Sequence, residues 1–290
     1  PDRRDACESA VDRPILILIS RKIVNEVPLT GLSSDRAGSQ LIRQKIECST
    51  TMVPTFITGA TEGYARLTAN AYRQFLRHGV MLRVYCLDAG AHEALEQLRV
   101  PSVPLLAAPA APTQAIYGTA EFREVSMRKL AAISDALLTN TVVVWVDGDV
   151  VPVRDPCAII AEIADRMHSD DVEIAAQCDE PHPGACRGPG ACWMCSGIMI
   201  FRRTPNVVTM VREPPPALSF PQGWDSDQDY INWFARLARM RCPILALSLF
   251  PNGVYKDALP PEAILMHYNH MKGADKEASM RQAGFWVLDD

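Results

Sequence analysis

No stretch of this chain is long and apolar enough to be read as a membrane span. Near the N-terminus the longest apolar run covers residues 14–19 of 290, whereas a spanning helix takes about 20 apolar residues. Basic charge is not in excess either. The net charge is −5, which argues against a general nucleic-acid binder, because such proteins carry a basic patch or stripe. An anionic nucleotide fits such a chain only through local helpers, such as a metal ion or a few lysines and arginines. There is no internal repeat and no Gly-x-x-x-x-Gly-Lys phosphate loop. No long window is purely polar, so most of the chain is expected to fold. An even cysteine count is also missing. Nine cysteines exclude complete internal pairing and leave the redox compartment open.

What is present is a chain with 48% hydrophobic residues, enough to bury a sizeable core. The reading is one domain. Residues 1–50 form a poorly readable lead segment with a possible strand at 14–20. Residues 51–290 form the folded body, with a nucleotide-binding half at 51–156 and an acceptor-side half at 157–290. Strands are expected at 54–58, 81–87, 103–107 and 141–146. Helices are expected at 64–77, 91–98 and 122–138, from apolar residues at helical spacing. Alternating strands and helices predict an α/β sheet. Further along, 172–176 and 197–201 read as strands, 181–191 as a loop and 230–240 as a helix. The chain opens at Pro1, so its location depends on what precedes it: the secretory lumen if an anchor does, the cytoplasm otherwise.

The most hydrophobic strand ends in Trp-Val-Asp147-Gly-Asp149. Ligands of open α/β sheets bind beyond the carboxyl ends of the strands, so both carboxylates are expected at the mouth of a site. Gly148 between them permits close approach. Two aspartates aimed at one site repel each other, and a divalent cation resolves this by taking oxygens from both. Mn2+ or Mg2+ suits carboxylate, water and phosphate oxygens. Asp-Gly-Asp is also an ordinary turn, and on this motif alone both readings stand.

Four pieces in order resemble one family. The first is Arg128 or Lys129 on the helix before the acidic strand. The second is the Asp147-Gly-Asp149 strand end with its following Arg-Asp-Pro. The third is Cys195-Ser196-Gly197-Ile-Met-Ile-Phe-Arg, followed by Trp224-Asp-Ser-Asp227-Gln228-Asp229-Tyr-Ile-Asn232. The fourth is His267-Tyr-Asn269-His270-Met-Lys-Gly273-Ala-Asp-Lys276, ending in Gly284-Phe-Trp286. From residue 53 to the end, the chain resembles the GT-A nucleotide-diphospho-sugar transferases. The likeness is to the group with plant cell-wall xylosyl- and arabinosyltransferases and related viral and protist enzymes. The resemblance implies a GT-A fold, a mixed sheet flanked by helices. It also implies a metal-bound nucleotide-sugar donor, UDP-linked by preference, and transfer with retention to a glycan, protein or lipid-linked acceptor. The cluster Asp225, Asp227 and Asp229 is denser than the family needs, and the Cys-rich stretch 178–195 departs from its pattern.

Roles follow. Asp147 and Asp149 are metal ligands, joined by His267 or His270 through a neutral imidazole. Lys276 faces the donor phosphates, or is a solvated helix lysine in the charge run Asp275-Lys276-Glu277. Of Arg128 and Lys129, adjacent and so facing apart, Lys129 is preferred for the donor. Asp227 and Gln228 are catalytic candidates facing the anomeric carbon, against helix capping by Ser226 or Asp225. Thr58, Gly59 and Tyr64 meet the nucleoside, with Asp88 a weaker candidate. Gly148, Ser196, Gly197 and Gly273 lie along the donor. Cys178, Cys186, Cys192 and Cys195 raise structural zinc, ranked below disulfides or free thiols. A metal-dependent nucleotidyltransferase and a non-catalytic nucleotide-sugar-binding module are the alternatives.

Overall fold

The computed structural model describes residues 53–105, 119–180, 192–215 and 224–289. The lead segment 1–50, the Pro- and Ala-rich loop at 108–113 and the loop at 181–191 lie outside the described residues. Three strands alternate with helices at the start: β1 (Thr55–Ala60), α1 (Ala65–Arg77), β2 (Leu82–Cys86), α2 (Ala89–Gln97) and β3 (Ser102–Pro104). The helix α3 (Ala120–Thr139) then leads into β4 (Val142–Val146). With β6 (Ile174–Cys178), β7 (Met194–Arg202) and β8 (Ile244–Leu245), these strands make a seven-stranded sheet in the order β3-β2-β1-β4-β7-β6-β8. Only β7 runs against its neighbours, β4 and β6. The other pairs are parallel.

The middle of this sheet is dictated by composition. Val-Val-Val-Trp-Val on β4 is β-branched or aromatic throughout, and every residue is buried, as a strand covered on both faces requires. Its side chains alternate between two cores. Val143 and Trp145 pack with Leu130 and Ile133 of α3, and with residues of α5 (Pro205–Arg212) and α6 (Asp227–Leu237). Val142, Val144 and Val146 pack with Phe75 of α1 and Ile160 of α4 (Cys157–Ser169). Each such burial contributes roughly 1.5–3 kcal/mol.

Helix starts differ from expectation for local reasons. α2 begins at Ala89, before residue 91, because Asp88 caps it by accepting the Ala91 N–H at 2.9 Å. α6 begins at Asp227, not at 230. Its capping position is Ser226, whose side chain makes no capping bond, so that part of the capping reading is corrected. The helices α4 and α5, and the helix α7 (Gly273–Gln282), were not expected. α5 carries a readable start, since Thr204 accepts the Val207 N–H at 3.3 Å and Pro205 opens the first turn.

Outside the main sheet, β5 (Val150–Pro152) and β9 (Leu265–His267) form an antiparallel ribbon that pairs Val150 with His267. This register carries a distant histidine to the end of β4. Among the described residues, no helix is long and apolar enough to cross a membrane.

Packing predicts the response to truncation. Phe75 is fully buried, with its ring 5.7 Å from that of Phe56. Phe75→Ala should lower the unfolding free energy by about 3–5 kcal/mol in a urea titration. Met81→Lys, at a position 67% exposed, should stay within about 0.5 kcal/mol of the parent.

Candidate functional site: a carboxylate cluster at the end of the central strand

Asp147 follows β4 directly. Its N–H donates to Gly197 O at 2.8 Å, which ties the loop to β7. Its Oδ1 accepts the Trp145 indole N–H at 2.7 Å, so a core side chain aims the carboxylate. Two residues on, Asp149 is buried, and its carbonyl accepts the Tyr268 N–H at 3.0 Å. His267 comes across the ribbon, with Nε2 at 3.3 Å from Asp149 Oδ1. One ligand atom from each of Asp147, Asp149 and His267 falls within 4.8 Å of the others. Among the described residues, this is the only such group of three or more His, Cys, Asp and Glu side chains.

The second layer sets the imidazole's tautomer. Gln177 spends its amide hydrogens on Phe250 O at 2.9 Å and Pro251 O at 3.0 Å. Its Oε1 is therefore an acceptor, and at 2.7 Å it accepts a hydrogen bond from His267 Nδ1–H. Nε2, on the other side of the ring, then faces Asp149 Oδ1. Gln177 reaches this place because the β6–β7 register slips between Ala176 and Gln177, a bulge that re-aims a side chain. Gly197 leaves room for the ring, since a Cβ there would lie 2.0 Å from His267 Cε1. Two carboxylates and an imidazole nitrogen form an oxygen-and-nitrogen donor set that fits a divalent metal ion.

Two lysines offset the acid. Lys276 on α7 places Nζ 2.5 Å from Asp149 Oδ2. Burial alone would raise the Asp149 carboxyl, but Lys276 and His267 hold it well below the ordinary carboxylate range. Lys276 itself is disfavoured by burial yet held above the ordinary lysine value by Asp149. Buried Lys129 on α3 bridges Asp147 Oδ1 at 3.0 Å and Asp227 Oδ2 at 2.9 Å. It also donates to Ser196 O and Oγ, each at 3.1 Å. Burial works against its charge, and Asp147 and Asp227 outweigh that. Asp227 is pushed above the ordinary carboxylate value, first by burial and then by Asp147, with Lys129 opposing.

Gln228 is held at both ends. Its Oε1 accepts the Ser196 N–H at 2.9 Å and its Nε2 donates to Asp179 Oδ2 at 2.8 Å. One turn later, Asn232 accepts the Met194 N–H at 3.0 Å and donates to Met194 O at 2.9 Å. Side chains of α6 thus continue the ladder of β7. In the dense acidic cluster, Asp229 accepts the Asp225 N–H at 2.8 Å and Asp227 serves Lys129, so each has its own partner.

Other expected residues are placed differently. Arg128 donates to Leu87 O at 2.6 Å and pairs with Glu124 at 2.8 Å, away from the Lys129 cluster. Asp88 is occupied as a cap and by the Glu62 N–H at 3.0 Å. Thr58 and Gly59 lie within β1, not after it, and the Thr58 side chain is fully buried. A Cβ at Gly59 would lie 2.7 Å from Leu87 and 2.9 Å from Trp145. At Gly148 it would lie 2.4 Å from Thr68 Oγ1, so the turn packs closely against α1 there. Tyr64 is exposed, with its ring 5.8 Å from Lys276 Nζ. His270 sits at φ +58° on the exposed side, outside the three-residue group. Gly273 opens α7 at φ +35° with free space around it. Cys178 and Cys195 are free thiols and Cys192 is in a disulfide, so these three do not form a zinc site. Cys186 lies outside the described residues. Sequence reading missed Asp179, Gln177 and Ser126, which accepts the Asp227 N–H at 3.1 Å. None of the three carries a local motif.

Comparison with known proteins bears on this geometry. A family profile described as nucleotide-diphospho-sugar transferase matches residues 80–280. The chain belongs to this family. The match takes in β4, both lysines and the ribbon histidine, so the cluster is part of a nucleotide-sugar glycosyltransferase. Among solved structures, an active-site mutant of LgtC aligns at TM-score 0.52 and 12% identity, over 80% of this chain and 96% of the other. WbbM, a bifunctional glycosyltransferase, aligns at TM-score 0.51 and 15% identity, over 78% of this chain and 47% of the other. The chain thus spans about half the length of WbbM. At these identities the likeness is one of fold, the GT-A mixed sheet. A comparison with curated proteins gives no match.

Two substitutions test the electrostatic design. Lys129→Met should lower the unfolding free energy by about 3–5 kcal/mol, because two carboxylates lose their shared cation. Adding Asp227→Asn should restore part of that loss in the same urea titration. Gln177→Met should leave the fold intact and weaken Mn2+ binding about 10- to 100-fold, as read by calorimetry.

Proposed function

We propose that the protein transfers a sugar from a nucleoside-diphosphate donor, a UDP-sugar by preference, to a hydroxyl of a glycan or glycoconjugate, with retention. The observation that carries this reading is the convergence of Asp147, Asp149 and His267 within 4.8 Å at the carboxyl end of β4, flanked by Lys129 and Lys276. Three carboxylates, Asp147, Asp149 and Asp227, face two ammonium groups here. Such a cluster repels a diphosphate unless a cation joins it. Asp147, Asp149 and His267 would hold a divalent ion, which would supply positive charge for a departing nucleoside diphosphate.

The remaining roles belong to the chain's own side chains. Lys276 lies where it can turn from Asp149 to a phosphate oxygen as a point charge. Tyr64, exposed beside it, offers a ring to the base. Asp227 is buried and bound to Lys129, which suits it to holding that cation and the donor sugar more than to free nucleophilic attack. The Gln228 amide, fixed between Ser196 and Asp179, is the group offered to the developing positive charge at the anomeric carbon. LgtC also carries a glutamine in its active site, which supports this choice.

A panel of UDP- and GDP-sugars with Mn2+, then with EDTA, should release nucleoside diphosphate from one donor only when the metal is present. Asp149→Asn should lower that release at least about 100-fold while the far-UV spectrum is kept. Full activity in this variant would refute the metal-site reading, and release of pyrophosphate would support a nucleotidyltransferase instead.

A further inference from the structure

The helix that carries Lys276 is weakly anchored by its own residues. Met280 is the only buried side chain of α7, so apolar packing along the helix does little to set where the ammonium lies. The segment after the helix is held much more firmly. Gly284 turns the chain at φ +76°, and the Phe285 N–H returns to Met280 O at 2.7 Å. Side chains of α1 then bind the backbone of residues 285–288. Asn70 donates to Phe285 O at 2.9 Å and accepts the Val287 N–H at 2.7 Å. Gln74 donates to Phe285 O at 2.8 Å and Arg73 to Leu288 O at 2.8 Å. Asn70 is fully buried, and a buried amide with both ends engaged is expensive to leave unmatched. Surface pairs such as Arg66–Glu277 at 3.6 Å add little. Lys276 and Met280 are four residues apart and share one helix face. Asn70 Nδ2 also lies 3.7 Å from Met280 Sδ. The α1 contacts and the Lys276–Asp149 pair therefore act on the same short helix.

We infer that Asn70, supported by Gln74, is a positioning residue for Lys276. It latches α7 so that the ammonium rests on Asp149 Oδ2, competing there with a metal ion and lying ready for the donor diphosphate. This rests on the reading of Lys276 as a donor contact. The latch has a signature that a general packing defect lacks. Loosening it frees an oxygen of Asp149, so metal alone binds more tightly. The same change withdraws a cation from the donor, so nucleoside diphosphate binds more weakly. Simple loss of packing weakens both.

Calorimetry with MnCl2 alone, and then with UDP at saturating Mn2+, separates these cases. Asn70→Ala should raise the Kd for UDP about tenfold and lower the Kd for Mn2+ about threefold. Gln74→Met keeps the side-chain volume, stays foldable if Asn70→Ala does not, and should move both constants in the same directions by less. Lys276→Met is the reference and should show the full split. If Lys276→Met shows it while the latch variants match the parent or weaken both ligands, the positioning role is overturned and Lys276 remains a donor contact. If Lys276→Met binds UDP as the parent does, the donor reading of Lys276 falls, and the latch proposal with it.

Discussion

Three carboxylates, Asp147, Asp149 and Asp227, crowd one end of the sheet, and two of them are buried. A buried charge without a partner costs several kcal/mol, so the surrounding elements are arranged around supplying cations. Lys129 reaches across from α3 to satisfy Asp147 and Asp227, which ties the start of α6 to the end of β4. Lys276 reaches in from α7 to Asp149, which ties the C-terminal segment to the same point. The ion pairs that make the cluster tolerable in the folded state are thus the contacts that hold four elements in register.

Precision at the centre comes from ordinary sheet geometry. Trp145 belongs to the core, yet its indole N–H aims Asp147. β7 runs antiparallel beside β4 and places Gly197 where only a missing side chain lets the His267 ring sit. A bulge in β6 brings Gln177 to the far side of that ring. Each device is unremarkable for stability. Together they put one imidazole nitrogen beside two carboxylates.

The legible part of the site was the part written locally. Asp147, Gly148 and Asp149 follow a run of β-branched residues, and strand ends in α/β sheets face ligands. That only one of Arg128 and Lys129 faces the site was legible because neighbours on a helix face apart, and the structure shows Arg128 spent on Leu87 and Glu124. The choice between His267 and His270 was not legible. It depends on the β5–β9 register, which ends at His267 and leaves His270 at positive φ. Thr58 reads in sequence as following β1 because the end of a strand is blurred in one dimension, and the close packing of Gly148 on Thr68 has no local signature. Gln177 and Asn70 carried no signal, since the partners of Asn70 lie more than 200 residues away in the chain.

By itself, the sequence determined the alternation of strands and helices up to β4, the continuous burial of that strand and the acidic pair at its end. These follow from side-chain periodicity and β-branching, which act between near neighbours. Tertiary structure decided which histidine joins the pair, which lysine neutralises which aspartate, and which glycines are packed too closely to bear a side chain. Those outcomes depend on strand register, a bulge and the closing of α7 on α1. Such long-range pairings are set by competition for burial and charge neutralisation across the whole chain, which no short window records.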